Sequence, residues 1–346
     1  MKNKPQKILV VRNDKLGDFM LSYPSFALLK KALPDCETFA LVPQYTREMA
    51  EACQWIDHII IDPGKDSGLQ GFRSLVKTFR DQNLDVAITL FSTTRIGFAL
   101  AAAGIRYRLA PATKAAQFFY NHKLTQRRSR SEKPEYEYNL DLIHYFLDSQ
   151  QSGINTLPKP PFLHFDEKEV QQLKAEFCNT HNLKINHPIV FIHPGSGGSA
   201  NNLSLKQYLQ LAIELAGKHS VNIVISAGPG EFQYAEKMEN QLGNGEIAHA
   251  VYQSTEGLKR FAQHIQFADV FISGSTGPLH IAGALNTATA AFYPRRRSAT
   301  SLRWQTLNSE DKRLAFSPPE TADEHDMGAI DIEHATGEIG SKFLRD

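Results

Sequence analysis

Val270–Leu285 reads VFISGSTGPLHIAGAL. An apolar strand-like run enters the small polar turn Ser273-Gly274-Ser275-Thr276-Gly277-Pro278 and leaves it as an apolar helix-like run. Such a turn leaves unpaired backbone N–H groups at a helix start, where the helix dipole favours an anion. Small residues let a ligand approach the backbone closely, and Pro278 suits the first helical turn. His280 falls one turn into that helix, within reach of the same ligand. A lone His on a helix is more often structural, but its place beside a candidate anion site favours ligand contact.

The same strand–turn–helix rhythm runs through the chain. Lys7–Arg12 (KILVVR), Thr38–Val42 (TFALV), His58–Asp62 (HIIID) and Val86–Phe91 (VAITLF) read as buried strands. Continuous apolar runs of this length suit a parallel sheet covered on both faces. Helix-like segments lie between them at Phe19–Lys31, Thr46–Cys53, Leu69–Asp81 and Thr94–Ala103. Pro158-Lys159-Pro160-Pro161 then breaks the chain as a linker, followed by the charged amphipathic segment Glu167–His181. The rhythm restarts with strands Ile189–His193, Val221–Ser226, Val270–Ser273 and Ala288–Tyr293. Its helices fall at Leu205–Lys218, Phe232–Leu242, Leu258–Gln266 and Leu279–Leu285. The pattern predicts two doubly wound α/β domains, 1–157 and 158–325, with a tail at 326–346. Ligands in such folds bind outside the carboxyl ends of the strands.

Composition narrows the class. The 346 residues are 42% hydrophobic and 22% charged, as in ordinary globular proteins. A formal net charge of +1 gives no reason to expect nucleic-acid binding. Cys36, Cys53 and Cys178 are odd in number and widely spaced, which fits a reducing compartment and forms no metal motif. The N-terminal apolar run is too short for a signal peptide, and no stretch approaches the ~18–20 apolar residues of a membrane span. A cytoplasmic protein is expected, with peripheral membrane contact left open.

Three further motifs follow predicted strands. In Arg12-Asn13-Asp14-Lys15-Leu16-Gly17-Asp18, Gly17 permits a tight turn and Asp18 sits in the first turn of the next helix. Asp18 either compensates the helix dipole or acts as a general base, with Asp14 a weaker competitor. The loop is no G-x-G-x-x-G fingerprint and no acid is correctly placed after the second strand, which disfavours a dinucleotide site. His193-Pro194-Gly195-Ser196-Gly197-Gly198-Ser199 can cradle phosphate with backbone amides, or is a flexible connection; it lacks the Gly-Lys-Ser ending of a P-loop. In Ser226-Ala227-Gly228-Pro229-Gly230-Glu231, the Glu231 carboxylate can accept hydrogen bonds from a ribose diol or stabilise a helix start.

These motifs, in this order, resemble glycosyltransferase family 9, the bacterial heptosyltransferases of lipopolysaccharide core assembly. The matching residues are Lys15-Leu16-Gly17-Asp18, His193-Pro194-Gly195, Gly228-Pro229-Gly230-Glu231 and Ser275-Thr276-Gly277-Pro278-Leu279-His280. The resemblance implies a GT-B fold, two Rossmann-like domains facing across a cleft. It implies an acceptor site in the N-terminal domain and a donor site in the C-terminal one, with ADP-heptose as the usual donor and no cofactor or metal. Asp18 would be the base of an inverting transfer. His193, Gly195, Ser196, Gly197, Glu231, Ser275, Thr276, Gly277 and His280 would hold the donor. The chain departs from the family in two places. Ala200-Asn201-Asn202-Leu203-Ser204 lacks the usual cation, and Ser275 stands where Asp is common. Arg295-Arg296-Arg297 and Arg303 are the available substitute cations. The tail would pack back on the N-terminal domain, as C-terminal helices do in this fold.

Val86–Ser131 contains no Asp or Glu, yet carries Arg95, Arg106, Arg108, Lys114, Lys123, Arg127, Arg128 and Arg130, with Phe118, Phe119 and Tyr120 interleaved. It reads as a solvated surface loop or as an electrostatic collar for an anionic acceptor or membrane headgroups. With Lys15, the residues Lys114, Lys123, Arg127 and Arg128 are the expected acceptor contacts. RNP-type aromatic motifs are absent, so no nucleic-acid partner is expected. A non-catalytic nucleotide-sugar-binding protein and a nucleotide-sugar epimerase are the alternatives.

Overall fold

The computed structural model describes residues 6–113, 115–154, 156–195, 201–243 and 247–344. Two compact units divide the chain between Lys159 and Pro160. The first runs β1 (Lys7–Val11), α1 (Leu16–Met20), α2 (Tyr23–Ala32), β2 (Glu37–Pro43), α3 (Arg47–Ala52), β3 (His58–Asp62), α4 (Gly68–Asp81), β4 (Val86–Thr89), α5 (Thr94–Ala102), β5 (Tyr107–Pro111), β6 (His122–Leu124) and α6 (Glu135–Ser149). The second runs α7 (Glu167–Thr180), β7 (Ile189–His193), α8 (Leu205–Lys218), β8 (Asn222–Ala227), α9 (Phe232–Leu242), β9 (His249–Gln253), α10 (Leu258–Gln266), β10 (Val270–Gly274), α11 (Gly277–Leu285), β11 (Ala288–Phe292), β12 (Arg313–Phe316) and α12 (Ile332–Phe343).

Each unit holds one six-stranded sheet, ordered β3-β2-β1-β4-β5-β6 and β9-β8-β7-β10-β11-β12. Every strand pair is parallel. All residues of β7, β8, β10 and β11 are buried, because helices cover both faces. Strand order reverses between β1 and β4 and again between β7 and β10. At these switch points the loops leaving neighbouring strands diverge and open a crevice at the carboxyl edge. The motif after β1 lies at the first reversal, and those after β7 and β10 lie at the second.

Several expectations need correction. Phe19–Lys31 is not one helix: α1 ends at Met20 and α2 begins at Tyr23. Pro24 lacks an N–H and its ring would clash with the Met20 carbonyl of a continuous helix. The basic segment is not a loop, since it supplies β4, α5, β5 and β6. Strands β5, β6, β9 and β12 escape a search for continuous apolar runs because each is short or polar and incompletely buried along its length; all but β5 are edge strands. The tail belongs to the C-terminal core: Ile332, Ala335, Ile339 and Leu344 pack with Tyr208, Leu211 and Leu215 of α8. No helix among the described residues is long and apolar enough to cross a membrane.

Helix α11 is set closely against the chain beyond β11. A β-carbon on Gly283 would lie 2.8 Å from Thr306 Cβ and 2.9 Å from the Leu307 nitrogen. Asn286 ends the helix in the left-handed region at φ 61°, and its side chain accepts from the Ser309 N–H at 2.9 Å. Gly283→Ala should therefore push α11 off Thr306–Leu307 and destabilise the chain by about 1–3 kcal/mol. Urea unfolding of the variant beside the natural chain measures this; an unchanged midpoint would show that the helix is free to move.

Candidate functional site

The carboxyl edge of the N-terminal sheet is organised around Arg12, the residue after β1. Its side chain is 2% exposed and each guanidinium nitrogen is used. Nε donates to Asp14 Oδ1 at 2.9 Å, Nη2 donates to Asp18, and Nη1 donates to Glu135 Oε1 at 2.9 Å and Asn139 Oδ1 at 3.2 Å. Glu135 and Asn139 are four residues apart on α6 and so share one helix face. Glu135 is itself 1% exposed and also takes the guanidinium of Arg128 at 2.5 Å. Asn139 returns a hydrogen bond to the Leu21 carbonyl at 3.2 Å, securing the break between α1 and α2.

This arrangement sets the charge of Asp18. Burial is the largest influence and raises its pKa. Arg12 pulls it down, Asp14 and Glu135 push it up, and the carboxyl ends at about 6. For Arg12, burial would lower the pKa, but Asp14, Asp18 and Glu135 outweigh it and hold the guanidinium above the ordinary arginine value. Asp18 is therefore ionised at neutral pH yet more basic than an ordinary aspartate.

The expected acceptor residues divide. Lys15, Lys123 and Arg127 are exposed. Arg128 is committed to Glu135 and lies 5.7 Å from the centre of the Tyr138 ring, so it is part of the fold rather than an available cation. Lys114 lies outside the described residues.

In the C-terminal unit the loops after β7, β8 and β10 meet. His193 Nδ1 shares a 3.1 Å hydrogen bond with Ser226 Oγ, and its Nε2 lies 3.6 Å from Glu231 Oε2. The Glu231 carboxylate accepts from the Gly228 N–H at 3.2 Å and rests over Gly195, where any side chain would overlap it. Glu231 occupies the N-cap position of α9 without a side-chain capping bond. Asn202 ties the switch point together: its amide donates to the Pro194 carbonyl at 2.9 Å, and its oxygen accepts from Leu203 N–H and Tyr208 Oη. A β-carbon on Gly274 would strike that side chain. Ser196 and Gly197 lie outside the described residues.

At the start of α11, Thr276 occupies the cap position without a capping hydrogen bond from its side chain. Its hydroxyl instead pairs with Ser273 Oγ at 3.2 Å, so the amides behind Ser275, Thr276 and Gly277 keep their capacity for an anion. His280 is 3% exposed, with Nδ1 buried and unpartnered. Its ring centre lies 6.5 Å from that of Trp304, which in turn carries Arg303 at 5.5 Å. Arg295 Nη2 donates to the Glu320 and Ala322 carbonyls at 3.3 and 2.6 Å. Among the described residues no cluster of His, Cys, Asp and Glu could hold a metal ion.

Arg12, Glu135, Asn139 and Asn202 had no assigned role in the sequence reading. Arg12 and Asn202 lie inside the quoted stretches, whereas Glu135 and Asn139 are more than 110 residues from their partner. No local pattern marks such a pairing.

Burial lowers His280 and His264 to about 4, and lowers His193 despite the opposing pull of Glu231. A folded pKa below the unfolded 6.5 means that the unfolded chain binds more protons in between. The stability these imidazoles contribute is complete above about pH 6.5 and falls as pH drops toward 4. His280→Gln should remove about 2 kcal/mol of the stability lost between pH 7 and pH 5. Unfolding midpoints of both chains at the two pH values measure it; equal pH dependence would contradict a buried neutral His280.

The glycosyltransferase family 9 (heptosyltransferase) model matches residues 72–323. A Haemophilus influenzae protein named as a candidate glycosyltransferase is 45% identical over 341 residues, covering 98% of this chain and 97% of its own. The structure of E. coli ADP-heptose lps heptosyltransferase II superposes with a TM-score of 0.79 at 18% identity, covering 98% of this chain and 99% of that one. E. coli heptosyltransferase WaaC with ADP superposes at 0.71 and 15% identity, covering 97% and 100%. The structural likenesses establish the fold, two Rossmann-like units of the GT-B kind. With the motifs after β1, β7, β8 and β10 in place, the chain belongs to glycosyltransferase family 9 and is a glycosyltransferase.

Proposed function

We propose that the chain transfers a sugar, heptose from ADP-heptose, onto an anionic glycan acceptor of the lipopolysaccharide type with inversion at the anomeric carbon. The observation that carries this reading is the buried Asp18, held by Arg12 at the switch point of its sheet with its pKa raised to about 6. Asp18 takes the proton of an acceptor hydroxyl. The freed oxygen pair forms the new bond to the anomeric carbon, and the bond to the departing phosphate oxygen breaks with its electrons going to ADP. A base of pKa near the working pH suits this task. The E. coli relative WaaC was solved with ADP and with ADP-2-deoxy-2-fluoro heptose, which supports the donor class.

The donor diphosphate is assigned to the amides at Ser275, Thr276 and Gly277, with Gly195, His193 and His280 beside it, and the ribose diol to Glu231. His280 meets the diphosphate as a neutral hydrogen-bonding imidazole, since burial holds its pKa at about 4. Developing charge on ADP is then stabilised chiefly by oriented amides. Lys15, Lys123 and Arg127 are assigned to the acceptor's anionic groups, with Lys114 as a further candidate. A nucleotide-sugar binder without transfer is the second reading, favoured by Ser275 and by the cation-free stretch at 200–204.

Asp18→Asn should lower kcat by about 100- to 10,000-fold while ADP affinity by calorimetry stays unchanged. For the natural chain, kcat/KM should rise with pH and level off above about 6, as the carboxyl loses its proton. Transfer by the variant at the natural rate would refute the base assignment; nucleotide binding without transfer by the natural chain would favour the second reading. Glu231→Ala should weaken ADP binding by about tenfold, the worth of a charge-assisted hydrogen bond. Unchanged affinity in the same titration would remove Glu231 from the donor site.

A further inference from the structure

Large apolar side chains are exposed unevenly. Ile185, Ile213, Tyr234 and Leu302 in the C-terminal unit, and Tyr45, Phe91, Tyr145 and Leu157 in the N-terminal unit, stand on separate segments. In the N-terminal unit a continuous ladder crosses α4, α5 and the short turn Ala115–Phe119. Phe72 stacks on Phe98 at 5.2 Å between ring centres, and Phe98 meets Phe119 at 5.5 Å. Leu69, one helical turn before Phe72, is 75% exposed, and Phe118 beside Phe119 is 81% exposed. The ladder is held by packing: a β-carbon on Gly97 would come within 3.0 Å of both Phe119 and Tyr120, so only glycine lets the turn lie this close to α5. Leaving such groups in water forfeits the gain of burying them, which marks an interaction surface.

Charge indicates what covers it. No acid occurs in residues 86–131. Arg95, Arg108 and Arg128 are spent inside the unit, on Asp62, on the Phe119 carbonyl at 2.8 Å and on Glu135. Lys123 and Arg127 remain exposed and form no ion pair among the described residues, as do Lys65 and Arg73 flanking Leu69 and Phe72, with Asp66 the acid nearby. A second copy of this chain would set cations against cations. Aromatic and leucine side chains amid lysine and arginine match an anionic bilayer, whose interface takes the rings and whose headgroups take the cations. The segments bearing the ladder leave the carboxyl ends of β3, β4 and β5, the sheet edge that also carries Asp18.

We propose that the surface formed by Leu69, Phe72, Phe98, Phe118 and Phe119 docks the N-terminal unit onto an anionic lipid bilayer. This placement rests on the transfer reading only in that it sets the Asp18 edge beside a lipid-borne acceptor.

Co-sedimentation of the full chain with phosphatidylethanolamine–phosphatidylglycerol vesicles, beside phosphatidylcholine vesicles, tests it. The natural chain should partition onto the anionic vesicles and be released by salt. Leu69→Ser with Phe118→Ser should cut partitioning about tenfold or more. Both positions are exposed, so far-ultraviolet circular dichroism and ADP affinity should stay unchanged. No partitioning by the natural chain, or equal partitioning by the variant, would overturn the proposal. So would a dimer in sedimentation equilibrium that the variant loses, which assigns the surface to a second copy. Failure of the natural chain to bind ADP would count against the transfer reading and leave the vesicle result standing.

Discussion

One guanidinium organises the candidate acceptor half of this protein. Arg12 ends the innermost run of the N-terminal sheet, where its charge cannot be left without partners. Three carboxylates and an amide from the β1 loop, α1 and α6 meet that requirement. The same contacts secure the break between α1 and α2 and hold Asp18 at the sheet edge, where burial raises its pKa against the downward pull of Arg12. Removing Arg12 would leave Asp14, Asp18 and Glu135 repelling one another in a poorly hydrated space, so the cluster stands or falls as a unit.

The C-terminal unit solves a related problem without a cation among its described loop residues at the second switch point. Asn202 bridges the loop after β7 to the end of β10, and Gly195 yields its side-chain space to the Glu231 carboxylate. Glycines here are the complement of neighbouring side chains rather than hinges. The start of α11 has no side-chain cap and His280 Nδ1 is buried without a partner, which suits the anion site proposed there. Burial lowers the pKa of His193 and of His280, so neither imidazole supplies at neutral pH the positive charge of a lysine or arginine at the candidate donor site.

Both sheets share one strand order, and both candidate half-sites occupy the same place in it, the reversal at the carboxyl edge. The packed rings of the C-terminal unit around Phe177, Tyr252 and Phe261 are buried, whereas the N-terminal unit carries a partly exposed ladder whose Phe98, Phe118 and Phe119 lie on an acid-free segment. The two units thus differ in their surfaces far more than in their architecture.

The sequence by itself determined the doubly wound class, the order of the four motifs and the glycosyltransferase family, because fully buried parallel strands and phosphate-type turns are local signals. Strands β5, β6, β9 and β12 were hidden by partial exposure, and the α1–α2 break was legible only through Pro24. Tertiary structure alone decided that the tail helix joins the C-terminal core, that Arg128 serves Glu135, and that Glu231 rests over Gly195. It also brought Glu135 and Asn139 to Arg12. These are pairings between residues distant in the chain, and they are settled by which buried charges must be neutralised once the sheets have formed.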